Sequence, residues 1–221
     1  DQTVRLWQIK TGDCLKVLAK HSSRVWSVAF HPDGKRIVSG GDDHATCIWQ
    51  LRSGHCTKTL KGHSNCVYSL ALSPDGNTLA STHESEVINL WDVQNLSKPP
   101  HLIQTLRGHH NRILSVVFSP DGQHLITGSG DRTLKIWQSK TGRCLQTLGG
   151  HQSWVWSVAI SPDGQTLASG SYDHQIKLWD HASGDCIGTL LGHPSAVLKV
   201  KFSPDGQILA SGGYDQIIKL W

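Results

Sequence analysis

The sequence predicts an all-β fold, a β-propeller of four-stranded antiparallel blades with about five blades present. Three recurrences predict it. Tryptophan falls at one phase, at Trp7, Trp49, Trp91, Trp137, Trp179 and Trp221, spaced 42, 42, 46, 42 and 42 residues apart. Histidine runs in step at His21, His63, His109, His151 and His193, the last four each preceded by glycine. The tetrapeptide Ser-Pro-Asp-Gly recurs at Ser73–Gly76, Ser119–Gly122, Ser161–Gly164 and Ser203–Gly206. A period of about 40–45 residues with a Gly-His and a late Trp marks one four-stranded blade per repeat.

The repeat that begins at His151 shows the elements in order. Val155–Ile160 reads as a first strand. Ser161-Pro162-Asp163-Gly164 turns the chain, because proline pre-sets the second turn position and glycine accepts a positive φ. Gln165–Ser169 is a second strand, Tyr172–His174 a turn and Gln175–Trp179 a third strand. Ser183-Gly184 turns again, and Cys186–Leu190 is the fourth. Short strands with a turn signal every 8–12 residues indicate an all-β array. The whole chain, 1–221, is one such segment: a partial repeat over 1–20, then blades at 21–62, 63–108, 109–150, 151–192 and an incomplete one at 193–221. At the start, Thr3–Trp7 and Cys14–Leu18 read as a third and a fourth strand. The repeat from His63 departs twice from the pattern. It carries a longer loop at Asn95–His101, where Pro99-Pro100 cannot donate to a ladder, and it has Ser85 where the others have Asp43, Asp131, Asp173 and Asp215.

Composition narrows the function classes. The 221 residues carry a net charge of +4 without a basic run, so neither nucleic acid nor an anionic membrane is expected as a partner. No apolar stretch approaches the roughly 18 residues of a membrane span. The chain has no Met and opens in mid-repeat, and it reads as part of a longer protein. Of six cysteines, Cys14, Cys56, Cys144 and Cys186 occupy one repeat-equivalent position on separate sheets. Facing sheets lie about 10 Å apart, beyond disulfide reach. Free thiols are expected, fitting a reducing cytoplasm, and no four-Cys metal site.

Gly-His, Ser-Pro-Asp-Gly, Ala-Ser-Gly-Ser-x-Asp and Lys-Leu-Trp-Asp, repeated along the whole chain, resemble the WD-repeat β-propellers, in particular the regular arrays of bacterial multidomain signalling proteins. The resemblance implies a buried tetrad of His, Ser/Thr, Asp and Trp in each blade. By position the complete sets are His21, Ser39, Asp43, Trp49; His109, Thr127, Asp131, Trp137; His151, Ser169, Asp173, Trp179; and His193, Ser211, Asp215, Trp221. His63, Ser81 and Trp91 lack the Asp, and Asp1 and Trp7 are remnants of another set. The resemblance also implies a ring of about seven blades, so this segment is expected to be an incomplete, open arc whose exposed edges promote self-association. A Ser-His-Asp set repeated four times and capped by Trp reads as a strut, not a hydrolase triad. No catalytic residue, metal ligand or cofactor is expected, and the nine other histidines read as solvated loop residues.

In this family the rim of the central channel is a common docking surface. Its positions here are Arg24, Trp26, Asp42; Cys66, Tyr68, Glu84; Arg112, Leu114, Gly130; Trp154, Trp156, Tyr172; and Ala196, Leu198, Tyr214. They vary while the framework repeats, and Trp, Tyr and Arg dominate interface energies. The sequence therefore points to a non-catalytic scaffold that binds a protein or peptide on this rim, the sensor or interaction module of a larger cytoplasmic signalling protein. The alternatives are a purely structural spacer and a propeller that binds a small molecule or nucleic acid.

Overall fold

A computed structural model describes residues 1–60, 65–95 and 98–221. Two strands open the chain, β1 (Thr3–Trp7) and β2 (Cys14–Ala19), paired antiparallel. The first blade is β3 (Val25–Phe30), β4 (Arg36–Gly41), β5 (Thr46–Gln50) and β6 (Cys56–Leu60). The second is β7 (Val67–Leu72), β8 (Thr78–His83), β9 (Val87–Asp92) and β10 (His101–Arg107). The third is β11 (Ile113–Phe118), β12 (His124–Ser129), β13 (Thr133–Gln138) and β14 (Cys144–Gly149). The fourth is β15 (Val155–Ile160), β16 (Thr166–Ser171), β17 (Ile176–Asp180) and β18 (Cys186–Leu190). The fifth has three strands, β19 (Val197–Phe202), β20 (Leu209–Gly213) and β21 (Ile218–Leu220). Every blade is a meander of sequential antiparallel neighbours, and the molecule is a five-blade, all-β propeller.

The core lies between blades. Ile126, Leu134, Ile136 and Leu148 of the third blade pack with Val155, Val158, Leu167 and Trp179 of the fourth. Close approach explains the glycine in the second strand. A Cβ on Gly128 would meet Val155 Cγ1 at 2.7 Å and Val158 Cγ1 at 2.9 Å. A polar ladder supplements the packing. Ser27 Oγ accepts the Leu70 N–H (3.0 Å), Ser69 Oγ that of Val116 (3.2 Å), Ser115 Oγ that of Val158 (3.1 Å) and Ser157 Oγ that of Val200 (3.2 Å). Each inner-strand serine thus satisfies a buried amide of the following blade. The next member of the series is Lys199, an ammonium that donates and cannot accept.

The succession of blades runs β3 on β7, β7 on β11, β11 on β15 and β15 on β19. Its two ends are bare. Val28 and Phe30 on β3 are 53% and 61% exposed, and Ile218 and Leu220 on β21 are 78% and 68% exposed. The β1–β2 pair covers only the outer part of the first blade, burying Val4 and Leu18 against Ile37 and Trp49.

First strands share one irregularity. The β15–β16 register shifts between Val155 and Ser157, making Trp156 the extra residue of a β-bulge. The same shift isolates Trp26, Tyr68, Leu114 and Leu198. Bulges re-aim a side chain out of the alternating pattern, and here they do so near the start of each first strand.

Candidate functional site

Four blades hold a directed hydrogen-bond relay. In the fourth, the Trp179 indole N–H donates to Ser169 Oγ (2.9 Å), the hydroxyl donates to His151 Nε2 (2.7 Å), and Nδ1–H donates to Asp173 Oδ2 (2.8 Å). The corresponding distances are 2.7, 2.7 and 2.8 Å in the first blade, 2.9, 2.8 and 2.7 Å in the third, and 2.9, 2.7 and 2.5 Å in the fifth. Every donor points toward the carboxylate, which fixes the imidazole tautomer. The histidine and hydroxyl are buried in all four, so none of these hydroxyls faces solvent.

The carboxylate also shapes the turn. Asp173 accepts the backbone N–H of Gln152 (2.8 Å) and of Gln175 (3.0 Å). The residue between Asp173 and Gln175, His174, has φ 70°, and its counterparts His44, Arg132 and Gln216 have φ 60°, 72° and 61°. An Asp that bonds its own backbone stabilises such a turn. Burial alone would raise the Asp173 carboxyl, but the bonds from His151 and Gln152 outweigh it and bring the pKa from 3.8 to about 2. Asp131 is likewise held well below the usual carboxylate range, against its burial, by His109 and Thr133. Burial lowers the His109 imidazole, against the pull of Asp131. The glycine before His151 has φ 148° and would place a Cβ 3.3 Å from the Trp179 ring.

The second blade differs. Trp91 donates to Ser81 Oγ (2.9 Å), and that hydroxyl lies 3.3 Å from His83 Nε2. His83 comes from β8 itself, two residues before Ser85. His63 lies outside the described residues, as do residues 96 and 97 of the long loop.

At the strand ends that carry the bulges, aromatic pairs link neighbouring blades. Trp26 and Tyr68 meet edge to face at 6.2 Å between the first and second blades, and Tyr172 and Tyr214 at 6.5 Å between the fourth and fifth. Trp154 and Trp156 sit 6.2 Å apart within the fourth. Trp154, Tyr172 and Tyr214 are 38%, 50% and 58% exposed. The Trp156 indole nitrogen is buried without a hydrogen-bond partner. Trp26 Nε1–H donates to Asp42 Oδ1, and Arg112 pairs with Glu84 at 2.7 Å. Arg24 is exposed and Leu198 half-buried. Leu114, expected on the rim, is 7% exposed and offers almost no surface. Ala196, 1% exposed, is buried as well.

The family model described as WD domain, G-beta repeat matches residues 12–50, 54–92, 100–138, 142–180 and 184–221. The chain belongs to the WD40 repeat family. Propellers of this family are generally non-catalytic scaffolds that bind other proteins. Relatives match over single repeats. F-box-like/WD repeat-containing protein TBL1X of Mus musculus is 57% identical over 35 residues, 16% of this chain and 7% of that protein. Nuclear distribution protein PAC1 of Coccidioides posadasii is 44% identical over 43 residues, 20% of this chain and 9% of that protein. The Lissencephaly-1 homolog of Heterostelium pallidum is 42% identical over 41 residues, 19% of this chain and 10% of that protein. The matched segments thus span at most a tenth of these relatives' own length. Among the described residues no helix is long and apolar enough to cross a membrane.

Sequence reasoning missed several polar residues. Of the nine histidines outside the repeat phase, His31 and His83 are buried, which corrects their reading as solvated. His124 and His181 are half-buried and in ring contact. The missed signal was their departure from the repeat at framework positions. The six cysteines are free. Cys47 and Cys56 are neighbours, and a hydrogen bond from Cys47 lowers the Cys56 thiol below its usual range, against its partial burial, while the Cys47 thiol is raised.

Proposed function

We propose that this propeller binds a protein or peptide segment on its channel rim, centred on Trp154, Trp156, Tyr172 and Tyr214. The observation that carries the reading is the aromatic cluster on bulged and turn positions, of which Trp154, Tyr172 and Tyr214 are exposed. Large, stiff aromatics lose little side-chain entropy on binding. Arg24, Trp26, Asp42, Tyr68, Glu84, Arg112 and Leu198 extend the surface along the other blades. The rim mixes both charge signs, which favours a polypeptide over a phosphate backbone. A random peptide library panned on the chain should yield binders that the Trp154→Ala/Tyr172→Ala variant does not retain, while its thermal melt stays unchanged. Binders kept equally by the variant, or a variant that unfolds, would refute the assignment. A cytoplasmic signalling role, as the interaction module of a larger protein, accords with the free thiols.

A second reading rests on the bare ends. Val28 and Phe30 at one end and Ile218 and Leu220 at the other are apolar and exposed, and such faces favour association. We infer that the chain self-associates through them. A concentration-independent monomer in light scattering would contradict this.

A further inference from the structure

A cavity of about 450 Å³ opens between the third and fourth blades, at the strand ends that carry the Ser-Pro-Asp-Gly turns and so away from the rim. His124, at the start of β12, and His181, just after β17, meet there edge to face with ring centroids 4.9 Å apart. His181 Nδ1 lies 2.8 Å from Gly164 O. A carbonyl only accepts, so Nδ1 carries the proton and Nε2 a lone pair. That Nε2 is buried without a partner, and so is His124 Nδ1. A third orphan, Gln146 Oε1, belongs to another lining residue and turns toward Gly184.

Asp121 and Asp163 also line the cavity, and no Lys or Arg does. Each carboxylate uses Oδ1 to accept a serine hydroxyl and a backbone N–H, Ser119 and Gln123 for Asp121, Ser161 and Gln165 for Asp163. These bonds hold both carboxyls below 3.8 and therefore charged. Ile136 and Leu145 supply apolar wall. The cavity thus gathers negative charge and unpaired lone pairs in a chain whose net charge is +4. Buried polar atoms without partners are costly, and a ligand that donates to them removes that cost.

The same protein shows what fits. One repeat pair earlier, between the first and second blades, the positions of Asp121, His124 and Gly164 are held by Asp33, Arg36 and Gly76. There the chain's own guanidinium occupies the junction. Arg36 Nε donates to Asp33 Oδ2 at 2.7 Å, and His31 Nε2 lies 3.0 Å from both Arg36 Nη2 and Gly76 O. Carboxylate, imidazole and carbonyl are all present again at the third–fourth junction, but His124 replaces the arginine. The intervening junction has Thr78 and Ser139 at the positions of His124 and His181, so the paired imidazoles are particular to this site.

We propose that the cavity between the third and fourth blades binds a guanidinium group on an alkyl chain, such as the arginine side chain of a partner protein. Asp121 and Asp163 supply the charge, a turn of the two rings brings His124 Nδ1 and His181 Nε2, closed to solvent in the empty cavity, to accept N–H bonds, and Ile136 and Leu145 cover the methylenes. Protonating His124 replaces a lone pair with a positive charge beside Asp121 and the His181 ring, so affinity falls on acidification. Burial and the neighbouring His181 hold the His124 pKa below its usual value, against Asp121, which keeps that ring neutral near pH 7.

The test uses n-butylguanidinium as probe and n-butylurea as its neutral counterpart, titrated into the whole chain and followed by imidazole ¹⁵N shifts. Saturable binding of the guanidinium should shift His124 and His181, and butylurea should not bind. His181→Phe and Asp121→Asn should each weaken binding by roughly tenfold or more, about 1.4 kcal/mol per tenfold. His124→Arg, which restores the arrangement of the first junction, should abolish probe binding and raise the melting temperature, and it stands as the test if His181→Phe does not fold. No saturable binding, equal binding of butylurea, or full affinity in His124→Arg overturns the proposal. So does Zn²⁺ binding to the two rings that excludes the probe, which would make this a metal site.

Discussion

Asp173→Ala probes how much one relay stabilises the array. The substitution removes three accepted bonds, from His151 Nδ1 (2.8 Å), Gln152 N (2.8 Å) and Gln175 N (3.0 Å). It also strands a donor on His151, whose side chain is 0% exposed. A net bond is worth about 0.5–1.5 kcal/mol and a stranded buried donor costs about 1–3, so a loss of about 2–4 kcal/mol is expected at neutral pH. The carboxylate's share is separable by pH. A pKa lowered from 3.8 to about 2 corresponds to at most about 2.4 kcal/mol, and roughly 1–2 after solvent screening. Because the folded pKa is depressed, this share is complete above 3.8 and disappears as pH falls toward 2. Equilibrium urea denaturation of wild type and variant at several pH values measures it. The gap between them should narrow on acidification. A gap below about 0.5 kcal/mol at neutral pH, or one that does not change with pH, would refute the relay as a stabilising element.

Three further outcomes follow from the same geometry. Trp179→Ala should cost about 3–5 kcal/mol in denaturant melts, through a cavity between the third and fourth blades and the loss of the Ser169 bond. Ser115→Ala leaves the buried Val158 amide without its acceptor and should cost about 1–3 kcal/mol, whereas Ser139→Ala, on a turn, should cost less. With its thiol lowered by Cys47, Cys56 should be alkylated by iodoacetamide faster, relative to Cys14 and Cys186, as pH is lowered, and Cys47→Ala should remove that advantage; mass mapping reads the order.

The blades were legible because their signals repeat. Each strand of the fourth blade falls within two residues of its reading at either end, since turn residues bracket it on both sides. The relay positions were legible through the resemblance, which carries the tetrad onto each repeat at a constant offset between His and Asp. What was not legible lies where the sequence gives no local cue. Leu114 shares the bulge position of Trp26 and Trp156, yet it is 7% exposed while Trp26 is 47% exposed, a difference that the shared position does not announce. His83 looks like a turn residue until β8 carries it inward to Ser81. His124 and His181 are 57 residues apart, and only the stacking of two blades brings their rings together.

The serine ladder has a direction, and the direction bears on polymerisation. Each inner strand offers a hydroxyl forward and receives one from behind, so identical copies stacked end to end would be expected to extend it into a filament, an association that does not close on itself. Lys199 interrupts that register. At a joint between copies, the amide of Val28 on one would meet an ammonium rather than a hydroxyl oxygen, and the lysine would have to shed water beside Phe30. The apolar ends therefore attract while the polar thread between them does not match. Every such joint, the first included, carries the same unmatched amide, and Lys199→Ser is the change that would match it.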